Sequence, residues 1–235
     1  GKVKAMDTSA INGLRRTMRM ELVQLIREAI LNREYLPGQK LVEEEICSKF
    51  GVSRTPIREA LLVLEQEGLV DNQPHLGMFV VSFRREEIVD LLHVEAAMEG
   101  LAAAEAAKRI QPNEIEEMQA LQRDITARKQ PVSQEEFFQY DRQFHALIVK
   151  FSRSPTLINI LEKQLSLVYL CRFYTIRAPD RYAHSLQEHQ AIIDSFISQN
   201  SSKSEKAAQD HLESVIRDFV KMSNGKETAA DEKRN

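Results

Sequence analysis

Apolar residues follow two rhythms along this chain. From about Met20 to Leu31, Leu22, Val23, Leu25, Ile26 and Ile30 recur at helical spacing, and Leu36-Pro37-Gly38 ends the segment. Leu41, Ile46 and Phe50 mark a short second helix with an acidic face of Glu43, Glu44 and Glu45, closed by Gly51. Ser53 opens a third helix: its hydroxyl can accept a bond from a first-turn amide, and Pro56 falls where an amide proton would lack an intrahelical partner. Ile57, Ala60, Leu61 and Leu64 give that helix one apolar face as far as Gln66 or Glu67, with Gly68 beyond. The period then shortens. Leu69-Val70 and Met78 to Val81 are β-favouring runs on either side of a polar stretch with Pro74 and Gly77, which predicts a hairpin. Three helices and a hairpin in this order predict a winged helix-turn-helix over residues 19–82.

Beyond Ser82 the helical rhythm returns and stays. Amphipathic segments at roughly 85–109, 113–129, 133–152, 155–177, 180–199 and 203–222 are punctuated by Pro112, Pro131, Pro155 and Pro179, so a second, all-helical domain is expected over 85–222. The fold class is therefore mainly α: a winged helix with a small β-hairpin, followed by an all-α bundle. Residues 1–18 carry Lys2, Lys4, Arg15 and Arg16 against Asp7 with little periodicity and read as a basic arm or a solvated tail. Residues 223–235 are polar and aperiodic and read as a disordered tail.

Composition narrows the function. The 235 residues are 43% hydrophobic with a net charge of −3, and the sequence pI is about 6.1, so DNA contact has to come from a local patch. Cys47 and Cys171 lie in separate helical segments and suggest reduced thiols, hence a cytoplasmic setting. No apolar run approaches the length of a membrane span, and no membrane partner is expected.

The third helix supplies the local patch. Arg54 and Arg58 stand one turn apart near its N-terminus, beside Ser53 and Thr55, where a recognition helix presents its early residues to base edges. At the hairpin tip, His75 could approach the DNA backbone or minor groove, and Gly77 would permit a close approach. The order of elements, together with Leu36-Pro37-Gly38-Gln39-Lys40-Leu41, Val52-Ser53-Arg54-Thr55-Pro56-Ile57-Arg58-Glu59-Ala60-Leu61 and Glu67-Gly68-Leu69-Val70, resembles the winged-helix domain of GntR-type bacterial transcription regulators over about residues 19–81. The resemblance implies that Arg54 and Arg58 contact operator DNA and that Gly77 approaches it. A basic residue is common in that family where this chain has Leu76.

A second constellation lies in the helical domain. Asp141 falls within the apolar stripe of Phe137, Phe144, Ile148 and Phe151, and His145 lies one turn later. His189 precedes Ile192 and Ile193 by one turn, and His211 precedes Val215 by one turn, so both imidazoles point inward. One divalent cation would satisfy all four side chains; a hydrogen-bonded core histidine is the alternative for each taken singly. The nitrogen and oxygen donors suit Zn, Ni, Mn or Fe.

Glu99-Gly100-Leu101-Ala102-Ala103, Tyr140-Asp141-Arg142-Gln143-Phe144-His145, Glu188-His189-Gln190-Ala191-Ile192 and His211-Leu212 resemble the FadR C-terminal (FCD) domain over residues 85–222. The resemblance implies a metal held by Asp141, His145, His189 and His211, and an organic acid or related anion bound beside it. It places an arginine on the domain's first helix, where this chain has Glu95. Arg172 is the surviving candidate for an anionic group, or it forms an internal salt bridge, with Glu95 as one partner; Tyr140 and Tyr169 complete the expected effector site.

The function expected is a homodimeric transcription regulator, not an enzyme, that binds an inverted-repeat operator and responds to a small metabolite at the metal. Two alternatives stand beside it: a metal-dependent hydrolase or lyase tethered to DNA, with only Glu95 or Glu188 as candidate bases, and a regulator that senses the metal directly.

Overall fold

The computed structural model describes residues 8–231, and the chain divides into two compact units, 1–82 and 83–235. In the first unit, α1 (Thr8–Leu31), α2 (Glu43–Phe50) and α3 (Arg54–Gln66) are followed by β1 (Val70–Gln73) and β2 (Gly77–Val80). Leu22, Val23, Ile26 and Ile30 from α1 meet Ile46 from α2 and Ile57, Leu61 and Leu64 from α3 in a buried core. The turn between α2 and α3 is closed by Gly51 at φ 68°, whose amide donates to the Cys47 carbonyl. The strands pair antiparallel with Val70 opposite Val80 and Gln73 opposite Gly77, which leaves Pro74, His75 and Leu76 at the tip. Lys40 adds an isolated bridge to Phe79.

Two local expectations change in this unit. Helix α1 begins at Thr8, inside the stretch read as an arm, because Leu14, Arg15, Arg16 and Met18 are good helix formers and outweigh the cost of Gly13. Lys2, Lys4 and Asp7 lie outside the described residues. Ser53 occupies the N-cap position of α3, but its side chain makes no capping bond, so the exposed hydroxyl is free of that duty.

The second unit is built from α4 (Arg85–Ala107), α5 (Pro112–Ala127), α6 (Gln134–Phe151), α7 (Pro155–Thr175), α8 (Arg181–Ile197) and α9 (Ser201–Asp231). Helix α9 continues through most of the stretch read as a disordered tail; Lys226, Glu227, Ala229 and Ala230 favour helix and outweigh the roughly 1 kcal/mol cost of Gly225. Helix α4 is central, packing on α6, α7, α8 and α9. Its C-terminal half is rich in alanine, and it buries Ile88, Leu92, Ala96, Ala102, Ala103 and Ala106. Its approach to α9 depends on Gly100, where a Cβ would come within 2.8 Å of the Gln209 side chain. Two acidic residues, Glu95 and Glu99, are buried one turn apart among these apolar positions.

Candidate metal centre and nucleic-acid interface

The sequence places Asp141 and His145 one turn apart on α6, His189 on α8 and His211 on α9, and folding brings the four together. All four are buried, and their candidate ligand atoms lie within 4.8 Å of one another. Asp141 Oδ1 lies 3.6 Å from His145 Nε2 and 3.8 Å from His189 Nε2, and the Nε2 atoms of His145 and His211 are 3.2 Å apart.

Each imidazole is oriented from its far side. His145 Nδ1 is 2.5 Å from Glu99 Oε1, His211 Nδ1 is 2.8 Å from Glu188 Oε2, and His189 Nδ1 is 2.9 Å from the Tyr140 hydroxyl. With Nδ1–H donating outward in each ring, the three Nε2 atoms cluster near Asp141 and could each offer a lone pair to one ion bound among them. His189 is fully buried, stacked on Phe144 at a centroid distance of 3.9 Å, and its Nε2 has no hydrogen-bond partner. A buried nitrogen with no partner is costly, and one ion among these donors removes that cost together with the crowding of three imidazoles. The residues therefore fit a divalent metal, and the donor set of three imidazoles and one carboxylate matches borderline first-row ions.

Arg172 on α7 forms the other wall. Its Nε donates to Glu95 Oε1 at 2.8 Å, Nη1 to Asp141 Oδ2 at 3.0 Å and Nη2 to Glu99 Oε2 at 3.1 Å, with a further very close contact from Nη2 to Glu95. Arg172 is thus an internal salt-bridge residue holding three carboxylates, and Glu95 is its partner. Burial alone would raise the Asp141 carboxyl, but His145 and Arg172 hold it well below the usual carboxylate range. His145 and Arg172 likewise hold Glu99 down against its burial. For Glu95 burial prevails, its carboxyl is pushed up, and its Oε2 has no donor. Burial pushes His189 and His211 down, with neighbouring imidazoles adding to it. His145 goes the other way: burial and Arg172 oppose its charge, but Glu99 and Asp141 raise it to about 9.

Two expected effector residues are otherwise engaged. The Tyr140 hydroxyl is engaged by His189 and reaches on to Gln122 Oε1 at 3.4 Å, which places it behind a candidate metal ligand. Tyr169 is buried, with the Arg142 guanidinium 5.0 Å above its ring. A cavity lined by Asp141, Arg172, Arg181 and His211 leaves about 10 Å³ for the centre of a water-sized molecule, room for one water.

Sequence reasoning missed Arg181, whose position just after Pro179-Asp180 gives no sign of burial. It is 1% exposed and donates to Ser185 Oγ at 3.0 Å, Ser214 Oγ at 3.1 Å and Asp218 Oδ2 at 2.7 Å, with a very close contact to Glu188. Glu188, once a candidate base, is therefore shared between Arg181 and His211, as Glu95 is held by Arg172.

In the first unit, Ser53, Arg54, Thr55 and Arg58 are all exposed on the outer face of α3. A surface groove of about 530 Å³ brings Arg54, Glu43 and Glu44 to the same place as His75, Leu76 and Gly77 of the wing. His75 adopts φ 65° and Gly77 φ 108°. A Cβ on Gly77 would meet the Lys40 side chain at 3.3 Å, so an exposed lysine from the loop before α2 stands beside the wing tip that Leu76 leaves uncharged.

Comparisons with known proteins agree with both halves. The family described as "Bacterial regulatory proteins, gntR family" matches residues 19–80, and the FCD domain matches residues 90–214. The chain is 29% identical over 209 residues to the Uxu operon regulator of Haemophilus influenzae, covering 82% of this chain and 78% of that one. It is 25% identical over 198 residues to the transcriptional repressor RspR of Escherichia coli, covering 83% and 86%. Among solved structures, E. coli McbR/YncC superimposes with a TM-score of 0.74 at 17% identity, covering 88% of this chain and 98% of that one, which supports the fold. No described helix is long and apolar enough to cross a membrane. With the FCD match alone spanning more than half of its residues and the gntR match spanning its winged helix, the chain belongs to the GntR family of bacterial transcription regulators, in the group that carries an FCD domain.

Proposed function

We propose that this regulator binds an inverted-repeat operator as a homodimer and that its affinity is set by a small metabolite at a divalent ion held by Asp141, His145, His189 and His211. The partnerless, fully buried His189 Nε2 carries this reading. When bound, the ion, Zn, Ni, Mn or Fe, supplies an electrophilic anchor for oxygen atoms of the effector. The chain's own residues do the rest: Glu99, Tyr140 and Glu188 hold the imidazoles with Nε2 inward, and Arg172 keeps Asp141 ionised and aimed.

An anionic effector that uses Arg172 has to displace one of the three carboxylates that occupy its nitrogens. That exchange gives the effector different free energies in two arrangements of the helices, which is what coupling to a distant DNA site requires. The tightness of the cavity also favours a second reading, in which the metal itself is the signal. Operator affinity followed during metal titration separates the two: release of DNA by metal alone supports metal sensing, and release only on adding a metabolite to metal-loaded protein supports the first.

DNA contact is proposed for Arg54 and Arg58, with Ser53, Thr55, His75 and Gly77 around them. Arg54→Ala and Arg58→Ala are each expected to weaken operator binding by about 1–3 kcal/mol, roughly 5- to 150-fold, in fluorescence anisotropy. Unchanged binding in both variants would move the contact off α3.

Metal uptake is expected to depend on pH through His145. With its imidazole raised to about 9, the metal-free protein holds a proton there at neutral pH that the ion must displace. Apparent affinity should therefore rise about tenfold per pH unit until about pH 9 and then level off. Calorimetry at pH 7.5 in buffers of different ionisation enthalpy should find about one proton released per ion; none released would mean that His145 is already neutral.

A further inference from the structure

The two arginines proposed to read DNA are both paired with glutamates from α2, and the two pairs differ in kind. Arg58 donates through Nε, at 2.8 Å to each oxygen of Glu43. Arg54 donates through a terminal nitrogen, Nη2, to Glu44 Oε1. The partners also differ in mobility of setting: the Glu43 side chain is 28% exposed and that of Glu44 71%.

A guanidinium recognises guanine or phosphate through a fork of two N–H groups. The fork formed by Nη1 and Nη2 points along the side chain, and the other combines Nε with Nη2. Glu43, by capturing Nε from the side, leaves the end-on fork of Arg58 outward and removes rotamer freedom from a long side chain that is otherwise 61% exposed. Glu44 occupies Nη2, the atom common to both forks of Arg54, so that arginine meets another molecule only after giving up its partner. An exposed pair of this kind is weak, so any DNA acceptor can replace it, and the cost of giving it up weighs most on an isolated phosphate contact that no neighbouring base contact reinforces.

We propose that Glu43 and Glu44 set DNA specificity in opposite directions: Glu43 is a positioning residue that aims Arg58 at a base, and Glu44 masks Arg54 against non-specific phosphate contact. The proposal rests on the reading that Arg54 and Arg58 contact DNA. It turns the acidic face of α2, which simple electrostatics would treat as uniformly repulsive to DNA, into two residues with different jobs.

The test compares full-length Glu43→Gln, Glu44→Gln and Glu45→Gln. All three lose one negative charge from the same helix, but Glu45 forms no ion pair with either arginine among the described residues. Two probes are used: a duplex selected by this protein from a random-sequence library, and a scrambled duplex of the same composition. Thermal melting shows whether each variant is folded.

Relative to Glu45→Gln, Glu44→Gln is expected to bind the scrambled duplex about 2- to 5-fold more tightly. Its log–log salt slope on that duplex should steepen by up to about 0.9, as Arg54 gains a phosphate. Glu43→Gln should bind the selected duplex about 3- to 10-fold more weakly, with its salt slope unchanged, because aim is lost and no charge contact is. If all three variants shift both duplexes by the same factor and in the same direction, α2 acts only through its charge and the proposal is overturned; so it is if Glu43→Gln and Glu44→Gln shift together. If instead Arg54→Ala and Arg58→Ala leave binding to the selected duplex intact, the reading of α3 as the DNA contact has failed, a different result recorded in the same assay.

Discussion

His189→Ala is expected to leave a folded protein that no longer retains a metal ion. The imidazole is fully buried, and its Nε2 faces Asp141 Oδ1 with the other two imidazoles close by. Removing it takes one donor from the centre and leaves the Tyr140 hydroxyl with only the longer bond to Gln122. Loss of a partner that merely supports a ligand costs about 10- to 100-fold in metal affinity, so loss of the ligand itself should exceed about 100-fold. Elemental analysis and native mass spectrometry of the purified variant should find metal well below one ion per chain. His184→Ala is the control, since His184 is exposed and pairs with Asp218 at 3.1 Å. Retention of a full equivalent of metal in His189→Ala would remove this residue from the centre.

The second large effect concerns Arg172→Met. Met fills much of the same space but leaves Glu95 buried without a cation and Glu99 and Asp141 with only the protonated His145. Breaking a buried ion pair from one side costs about 3–5 kcal/mol, and here one guanidinium serves three carboxylates. Chemical denaturation of metal-free protein should show a loss of about that size at neutral pH.

The sign of its pH dependence follows. In the parent protein Asp141 and Glu99 are held down, so they contribute stability above their unfolded pKa that is lost as pH falls through the folded one. Without Arg172 the folded pKa values of Asp141 and Glu99 rise towards the unfolded ones and that of Glu95 rises further, so the variant loses less stability than the parent as pH falls. The deficit is therefore greatest at neutral pH and shrinks towards pH 5. Adding Glu95→Gln should recover part of it, as should saturating metal. A loss below about 1 kcal/mol in Arg172→Met, the level of a surface pair, would show that the carboxylates find other partners.

The elements were legible because their apolar periods are long and their stops are Pro and Gly. The four candidate ligands were legible for a related reason: each lies one turn from an apolar position already assigned to the core, so inward direction follows from helix geometry. What supports them was not. Glu99 and His145 are 46 positions apart in sequence, and Tyr140 and His189 are 49 apart, and no periodicity on one helix reports its register against another. Arg181 was invisible because a helix's first residue is ordinarily solvated, whereas here four polar partners make its burial tolerable. Glu43 and Glu44 could be read as an acidic face, but their reach to Arg58 and Arg54 depends on the angle that Gly51 sets between two helices. Helix ends were least legible, as Thr8 and Asp231 show.

The three Nδ1 contacts form a series. Glu99 of α4 holds His145 of α6, Tyr140 of α6 holds His189 of α8, and Glu188 of α8 holds His211 of α9. Each helix that offers an imidazole is gripped by the one before it, and α6 and α8 both grip and are gripped. Four helices are thus linked in sequence like the bars of a linkage, and a turn of α4, α6 or α8 would rotate an imidazole on the next. The centre would then act less as a pocket that is filled than as a gauge of how these helices are set, reading their angles as bond directions at a single point.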